Sequence, residues 1–384
     1  MAVKRNIIHE INFLKEKYPI VAITGPRQSG KTTLLKDLFP GYKYISLENP
    51  SIRRFFNNDP HGFFREYNSY CIFDEAQREP ELFSYLQTIV DESKIMGQYI
   101  LSGSQNFHLV QGITQSLAGR VALFKLLPFD TMELKNANLL PKSYIELMLK
   151  GFYPAIYDRD IPSNSFYNNY IQTYVERDIT ELVNIRDMKA FRTFLSLCAS
   201  RAGSLLNLNS LANDCNITQP TAKAWLTLLE TSYIIYLLQP YHKNFDKRTI
   251  KSPKLYFYDT GLLCHLLKFK KKEQLVTNSY KGHLFENMII MEYLKQNYHR
   301  NQGKDFYFWR DSAGNEVDLI IHDDEKLDII EIKATETILP EAFKGLIYFE
   351  KLAKDLIKSK TLVYAGTEKH IRSAANIVSW NSII

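Results

Sequence analysis

The sequence predicts an α/β chain in three parts, and three observations carry that reading. Over residues 1–135, short apolar runs ending in glycine or acidic residues alternate with amphipathic stretches, the pattern of a central parallel sheet covered by helices. Over 136–272, aliphatic and aromatic residues fall at helical spacing, and a helix–turn–helix followed by a hairpin stands out. From 273 to 384 a long amphipathic helix precedes short strands with charged ends, which predicts a second α/β unit. A chain of 384 residues has room for two or three domains, and 45% hydrophobic with 13% aromatic content excludes a disordered chain.

The first strand is the apolar run Ile20 to Ile23, and the stretch Thr32 to Leu38 is the first amphipathic helix after it. Between them Gly25, Pro26, Arg27, Gln28, Ser29, Gly30, Lys31, Thr32 and Thr33 complete the pattern G-x-x-x-x-G-K-S/T. Glycines let backbone N–H groups turn inward toward phosphate oxygens, and the helix N-terminus adds its partial positive charge. Lys31 is the expected ligand of the β- and γ-phosphates, and the Thr32 hydroxyl the expected holder of Mg²⁺. Arg27 is a further candidate for steering phosphate, although that position is free in the pattern.

The run Ser69 to Phe73 reads as a buried strand ending in Asp74 and Glu75. At the carboxyl end of a parallel strand, Asp74 is expected to hold Mg²⁺ and Glu75 to polarise the attacking water. A third strand, Gly97 to Gln105, brings Ser102, Ser104 and Gln105 to the same end as candidate sensors of the γ-phosphate.

The loop, the segment Phe73-Asp74-Glu75-Ala76-Gln77, the strand end Leu101-Ser102-Gly103-Ser104 and Ser116-Leu117-Ala118-Gly119-Arg120 together resemble prokaryotic AAA-type ATPases, over roughly residues 15–135. The resemblance implies ATP and Mg²⁺ as ligands. It implies an arginine completing the site, for which Arg120 is the candidate, and assembly of several copies into a ring or dimer.

Residues 136–190 read as a helical connector with a turn at Gly151-Phe152-Tyr153-Pro154. The helical stretch Phe166 to Leu182 carries Arg177 and Asp178, read as a solvated face rather than an interface pair. Over 191–272 the plan is winged-helix-like. Leu206 to Cys215 is a first helix, Asn216 to Gln219 a turn, and Pro220 suits the first turn of a helix reaching Thr231. Tyr233 to Leu238 and Lys254 to Tyr258 are strands joined by a loop with Lys243, Lys247, Arg248, Lys251 and Lys254, which could neutralise DNA phosphates. Asp259 is expected to cap the next helix.

The last unit, 273–384, begins its long helix at Gly282 and carries Glu286 on it. A strand from Phe306 to Trp309 is followed by Asn315 to Ile321, a turn at His322 to Lys326, and Leu327 to Lys333. Glu331 and Lys333, two apart on a strand, share one face, and across the hairpin Asp318 falls beside them. Such carboxylates suit Mg²⁺ or Mn²⁺, and the ammonium suits developing charge on an attacking hydroxide or a phosphorane. Glu286, Asp318, Glu331 and Lys333 resemble the motif of the PD-(D/E)XK nuclease superfamily, with its restriction-endonuclease-like fold, except that Val317 stands in place of proline. The stretch from about 140 to 384 also resembles an uncharacterised domain often fused to this ATPase core.

Composition narrows the rest. Cys71, Cys198, Cys215 and Cys264 are scattered without C-x-x-C spacing, which argues against a zinc site or disulfide framework and suits a reducing, cytoplasmic setting. Neither a signal peptide nor a membrane span is visible, and a net charge of +6 permits DNA without demanding it. Two function classes compete. In one, ATP hydrolysis controls a metal-dependent nuclease. In the other, the ATPase is a switch or remodeller whose last unit binds DNA or protein without cutting. A weaker third reading makes the chain a partner of a toxin or transport system, with no nucleic acid.

Overall fold

A computed structural model describes residues 3–104, 113, 116–178, 185, 187–242 and 250–383. Its first sheet holds β1 (Ile20–Thr24), β2 (Lys43–Ser46), β3 (Cys71–Asp74), β4 (Tyr99–Gly103) and β5 (Val121–Lys125) in the order β2-β3-β4-β1-β5. All four pairings are parallel. Burial on both faces follows from the alternation of side chains along each strand. On β1, Ile20 and Ala22 join a core with Phe63, Phe73, Leu82 and Tyr99. Val21 and Ile23 join Ile11, Leu34, Leu35 and Phe124 on the other face. The helices α1 (Ile8–Lys15), α2 (Lys31–Leu38), α3 (Pro50–Asn58), α4 (Pro60–Glu66) and α5 (Glu81–Ser93) cover the sheet. Proline in the first turn with an Asn49 or Asp59 cap sets the starts of α3 and α4.

Short helices follow from Thr131 to Asp158, then Ser163–Tyr170 runs into a π-helical stretch, Ile171–Asp178. The expected helix over 166–182 is therefore wider-wound from Ile171 to Asp178. Its end, and the side chains of Arg177 and Asp178, lie outside the described residues. The helix–turn–helix is present as Leu208–Asp214 and Gln219–Thr231, with the Thr218 hydroxyl accepting from the Thr221 N–H and Pro220 in the first turn. The hairpin of β6 (Ile235–Pro240) and β7 (Lys254–Phe257) comes next. Residues 243–249, with Lys243, Lys247 and Arg248, lie outside the described residues. Asp259 caps the following helix by accepting from the Leu262 N–H, and also accepts from the Phe152 N–H.

The last sheet reaches back across the expected boundary at residues 272 and 273. It contains β8 (Asp305–Arg310), β9 (Glu316–Asp323), β10 (Lys326–Lys333), β11 (Ile357–Tyr364), β12 (His370–Ile371) and β13 (Asn376–Ser379), but it does not stop there. Its order is β12-β13-β11-β10-β9-β8-β6-β7, because Gln239 and Pro240 at the end of β6 pair in parallel with Tyr307 and Phe308 of β8. The physical reason is edge protection: the end of β6 satisfies backbone groups on β8 that would otherwise face outward. One hydrophobic cluster runs from Leu127 to Ile383 and includes Trp225, Leu255, Phe285 and Trp380, so middle and last stretches share a core. The helices Tyr280–His299 and Lys344–Ala353 pack on this sheet. Among the described residues no helix is long and apolar enough to cross a membrane. All four cysteines are buried and free.

Candidate functional site

The structure forms the phosphate-type loop that the sequence predicts. Buried β1 delivers the chain to Gly25, whose φ of 151° and close approach to a carbonyl explain the glycine: an added Cβ would lie 2.1 Å from the Leu126 oxygen. Gly30, at φ 94°, is the N-cap of α2, so Lys31, Thr32 and Thr33 occupy its first turn. The Lys31 ammonium folds back over the loop, donating to the Gly25 and Pro26 carbonyls at 2.9 and 2.8 Å. Burial pulls its pKa down to about 8, against the opposing pull of Glu75 and Asp74. Gln28 and Thr33 are exposed, whereas Pro26 and Ser29 are buried, and the Ser29 hydroxyl has no hydrogen-bond partner among the described residues.

Asp74 sits where β3 ends, beside Ser102 on β4 and one strand from the loop. Its carboxylate accepts from the Thr32 hydroxyl at 3.0 Å, and from the hydroxyls of Tyr44 and Ser102. Thr32 and Asp74 thus form a pair of oxygen donors of the kind Mg²⁺ prefers, which fits the expected role of both. Glu75 adopts a left-handed conformation, φ 56°, turning its side chain out of the strand toward Ser104 and Gln77. The Ser104 hydroxyl donates to Glu75 Oε2 at 3.0 Å. Ser102 therefore serves Asp74 and Ser104 serves Glu75, a division that spacing left open. Gln105 lies outside the described residues.

Two arginines stand differently. Arg27 pairs with Glu48 at 3.2 Å on the rim of the loop. Arg120 lies at the other end of the sheet: its carbonyl accepts from the Ile20 N–H at the start of β1, and its guanidinium grips Asp91 at 2.6 and 2.7 Å. Five strand residues, about 16 Å, separate it from the loop of its own chain, so the structure does not bring these two together.

The second constellation forms on β9 and β10. Their antiparallel register, Ile330 opposite Leu319, carries Glu331 to Asp318, and Asp318 Oδ2 accepts from the Ile332 N–H at 2.8 Å. Lys333 pairs with Glu331 and lies 3.9 Å from Asp318. Burial, then the neighbouring carboxylates, raise the pKa of both Asp318 and Glu331. Glu331 Oε2 is buried with no partner among the described residues. An anionic oxygen left without a partner beside Asp318 fits a divalent cation. Glu286 is also brought to the cluster, from the helix Tyr280–His299, but it meets a competitor for its expected role. Its Oε1 accepts from Lys254 at 2.9 Å and from the Tyr256 hydroxyl. Lys254, expected in a DNA-facing wing, is instead 3% exposed and also pairs with Glu316. The correction has a plain cause: β7 is drawn into the last sheet, and the ammonium finds carboxylates there.

A buried polar network links the phosphate loop to the helix that carries Glu286. Arg5 donates to the Ser29 carbonyl of the loop at 2.8 Å, to the Leu127 carbonyl at 2.6 Å and to Glu133 at 3.0 Å. Asp130 accepts from the Glu133 N–H and the Asn6 amide, and its Oδ2 lies 2.9 Å from His299 Nδ1. Burial opposes the charge of Asp130, yet the His299 ring holds its pKa below the usual carboxylate range. Lys295 and Glu292 on the same helix bond the backbone of Phe129 and Thr131. Asp130, Glu133 and His299 sit as close together as metal ligands, but Arg5 and Asn6 already serve the two carboxylates.

Sequence reasoning missed Arg5, Tyr44 and Glu316, and gave Lys254 a different role, a phosphate contact in the loop. For Glu316 a signal existed: it stands two residues before Asp318, on the same face of one strand. Lys254 opens a strand whose four residues are all buried, and a lysine in such a strand needs an anionic partner.

A family model described as an AAA domain matches residues 17–135. Two further models, each described as a domain of unknown function (DUF8612 and DUF4143), match 141–273 and 281–383. The chain is 30% identical over 323 residues to the uncharacterized protein Rv2008c of Mycobacterium tuberculosis, covering 83% of this chain and 71% of that one. The same figures hold for the uncharacterized protein Mb2031c of Mycobacterium bovis. The Walker-type ATPase paby2304 of Pyrococcus abyssi is similar at 16% identity and a TM-score of 0.43, over 68% of this chain and 94% of that one. With the loop and Asp74 in place, the AAA match makes the N-terminal unit an ATP-binding AAA-type P-loop ATPase.

Proposed function

We propose, from the premise that this chain belongs to one family with the two mycobacterial proteins, that its ATPase cycle governs a metal-dependent, DNA-cleaving site in the last unit. The network from Arg5 to His299 is the observation that carries this reading. One guanidinium touches the phosphate loop at Ser29 and the buried Glu133. Through Asp130 the same network reaches the helix that bears Glu286. A loop that shifts with the γ-phosphate would pull on that helix through contiguous charged contacts.

At the first site Lys31 and the loop amides bind the triphosphate, Thr32 and Asp74 hold Mg²⁺, and Glu75, oriented by Ser104, positions water. Mg²⁺ would offset charge on the phosphate oxygens. At the second site Asp318 and Glu331 would hold one divalent cation, Mg²⁺ or Mn²⁺, and the Lys333 ammonium would sit against the developing negative charge. Arg120 could meet a nucleotide only on a second copy of the chain, so a catalytic part for it requires a homo-oligomer.

The test uses plasmid and single-stranded DNA with Mn²⁺, with and without ATP. Wild type should cut, Asp318→Ala should not, and Glu75→Gln should bind ATP but hydrolyse it about a hundredfold more slowly. ATP turnover without cleavage of any substrate favours the second reading, a nucleotide switch whose last unit binds DNA or protein. The internal pairing of Glu286 and Glu316 with Lys254 favours that alternative.

A further inference from the structure

We propose that Lys254 is a resident cation that fills one of two cation positions in the acidic cluster, so that the last unit takes a single divalent ion. The inference rests on the reading of Asp318 and Glu331 as ion ligands and concerns what lies beside them. Carboxylate oxygens of Glu286, Glu316 and Asp318 all fall within 4.8 Å of one another, a spacing suited to a bound cation. Lys254 Nζ occupies that position: it lies 2.9 Å from Glu286 Oε1 and also pairs with Glu316 Oε1. The Tyr256 hydroxyl, two residues along the same strand face, bonds the same Glu286 oxygen and fixes it toward the ammonium.

The two halves of the cluster are served differently. Glu286 and Glu316 have their charge met by Lys254, with Arg310 adding a contact to Glu316 Oε2 at 3.1 Å. On the other side Lys333 meets Glu331 Oε1, but Glu331 Oε2 is buried and has no partner among the described residues. An unmet buried carboxylate oxygen beside Asp318 is where a further positive charge is wanted. A divalent ion placed among Glu286, Glu316 and Asp318 would meet an ammonium held at 3% exposure by two carboxylates, whereas Lys333, 38% exposed, has room to swing toward solvent from an ion at Asp318 and Glu331. The ammonium comes from the middle stretch of the chain and the carboxylates from the last, so the electrostatics of the cluster are completed across that junction.

The experiment counts Mn²⁺ ions bound to the full chain by electron paramagnetic resonance, without nucleotide, in an Asp74→Asn background that removes the other ion site. The parent should retain one ion, Lys254→Arg one, and Lys254→Met two. One ion in Lys254→Met overturns the inference. No ion in the parent overturns the reading of Asp318 and Glu331 beneath it, and this inference with it. Should Lys254→Met fail to fold, judged by its melting curve, Glu316→Gln decides. It should leave the count at one, because Glu316 faces Lys254, and a count of zero would overturn the proposal.

Discussion

Lys31 shows how a single side chain can report on the nucleotide site before any turnover is measured. Its ammonium is buried and bonded to loop carbonyls, and its pKa falls to about 8. A triphosphate is bound by the charged form. Below about pH 8 the proton is already present and affinity should be flat; above it, each pH unit should cost about tenfold as binding takes up a proton. Titrations with a fluorescent ATP analogue between pH 7 and 9.5 check this, and an affinity independent of pH would remove Lys31 from phosphate binding. This residue was legible because its partners lie five and six positions away, within one local motif. Lys254 was not, because its carboxylates sit on a helix and a strand that only tertiary folding brings together.

At the scale of elements, the helix Lys344–Ala353 meets the last sheet through Gly345. A Cβ there would lie 2.1 Å from the Glu316 carbonyl and 3.0 Å from Glu331 Oε2. Backbone cannot yield at that contact without moving β9, so Gly345→Ala should destabilise the chain by about 1–3 kcal/mol through overpacking. It should also weaken Mn²⁺ binding at Glu331 while ATP turnover at the distant loop stays unchanged. Denaturant unfolding with ion titration would show both effects. The strands β1, β3, β4, β9 and β10 were readable from apolar runs because each run is set by its own burial. The joining of β6 to β8 was not readable, since pairing between strands so far apart in sequence leaves no local periodicity.

Over the whole molecule, the question is whether the two sites know of each other. Arg5 bonds three groups at once through a planar fork that lysine cannot reproduce. Arg5→Lys keeps the charge beside Glu133 and should fold. The change in Mn²⁺ affinity at Asp318 and Glu331 on adding ATP should then shrink about fivefold, a loss of about 1 kcal/mol of coupling. Comparing Mn²⁺ affinities with and without ATP in both proteins measures it, and an unaltered ratio would rule out this route of communication. Both constellations, the phosphate loop with Asp74 and Glu75 and the cluster around Asp318, were legible in the sequence. Their connection was not, because it depends on buried groups near residue 5, near 130 and at 299 that carry no motif.

The ion pair between Lys254 and the carboxylates of the last stretch also constrains how such chains can be reshuffled. A recombination crossover placed between residues 273 and 281 would give descendants an ammonium and acidic residues from different parents. A descendant lacking either partner would keep the other charge stranded in the interior, at about 3–5 kcal/mol. Inheritance should therefore favour passing the two stretches on together.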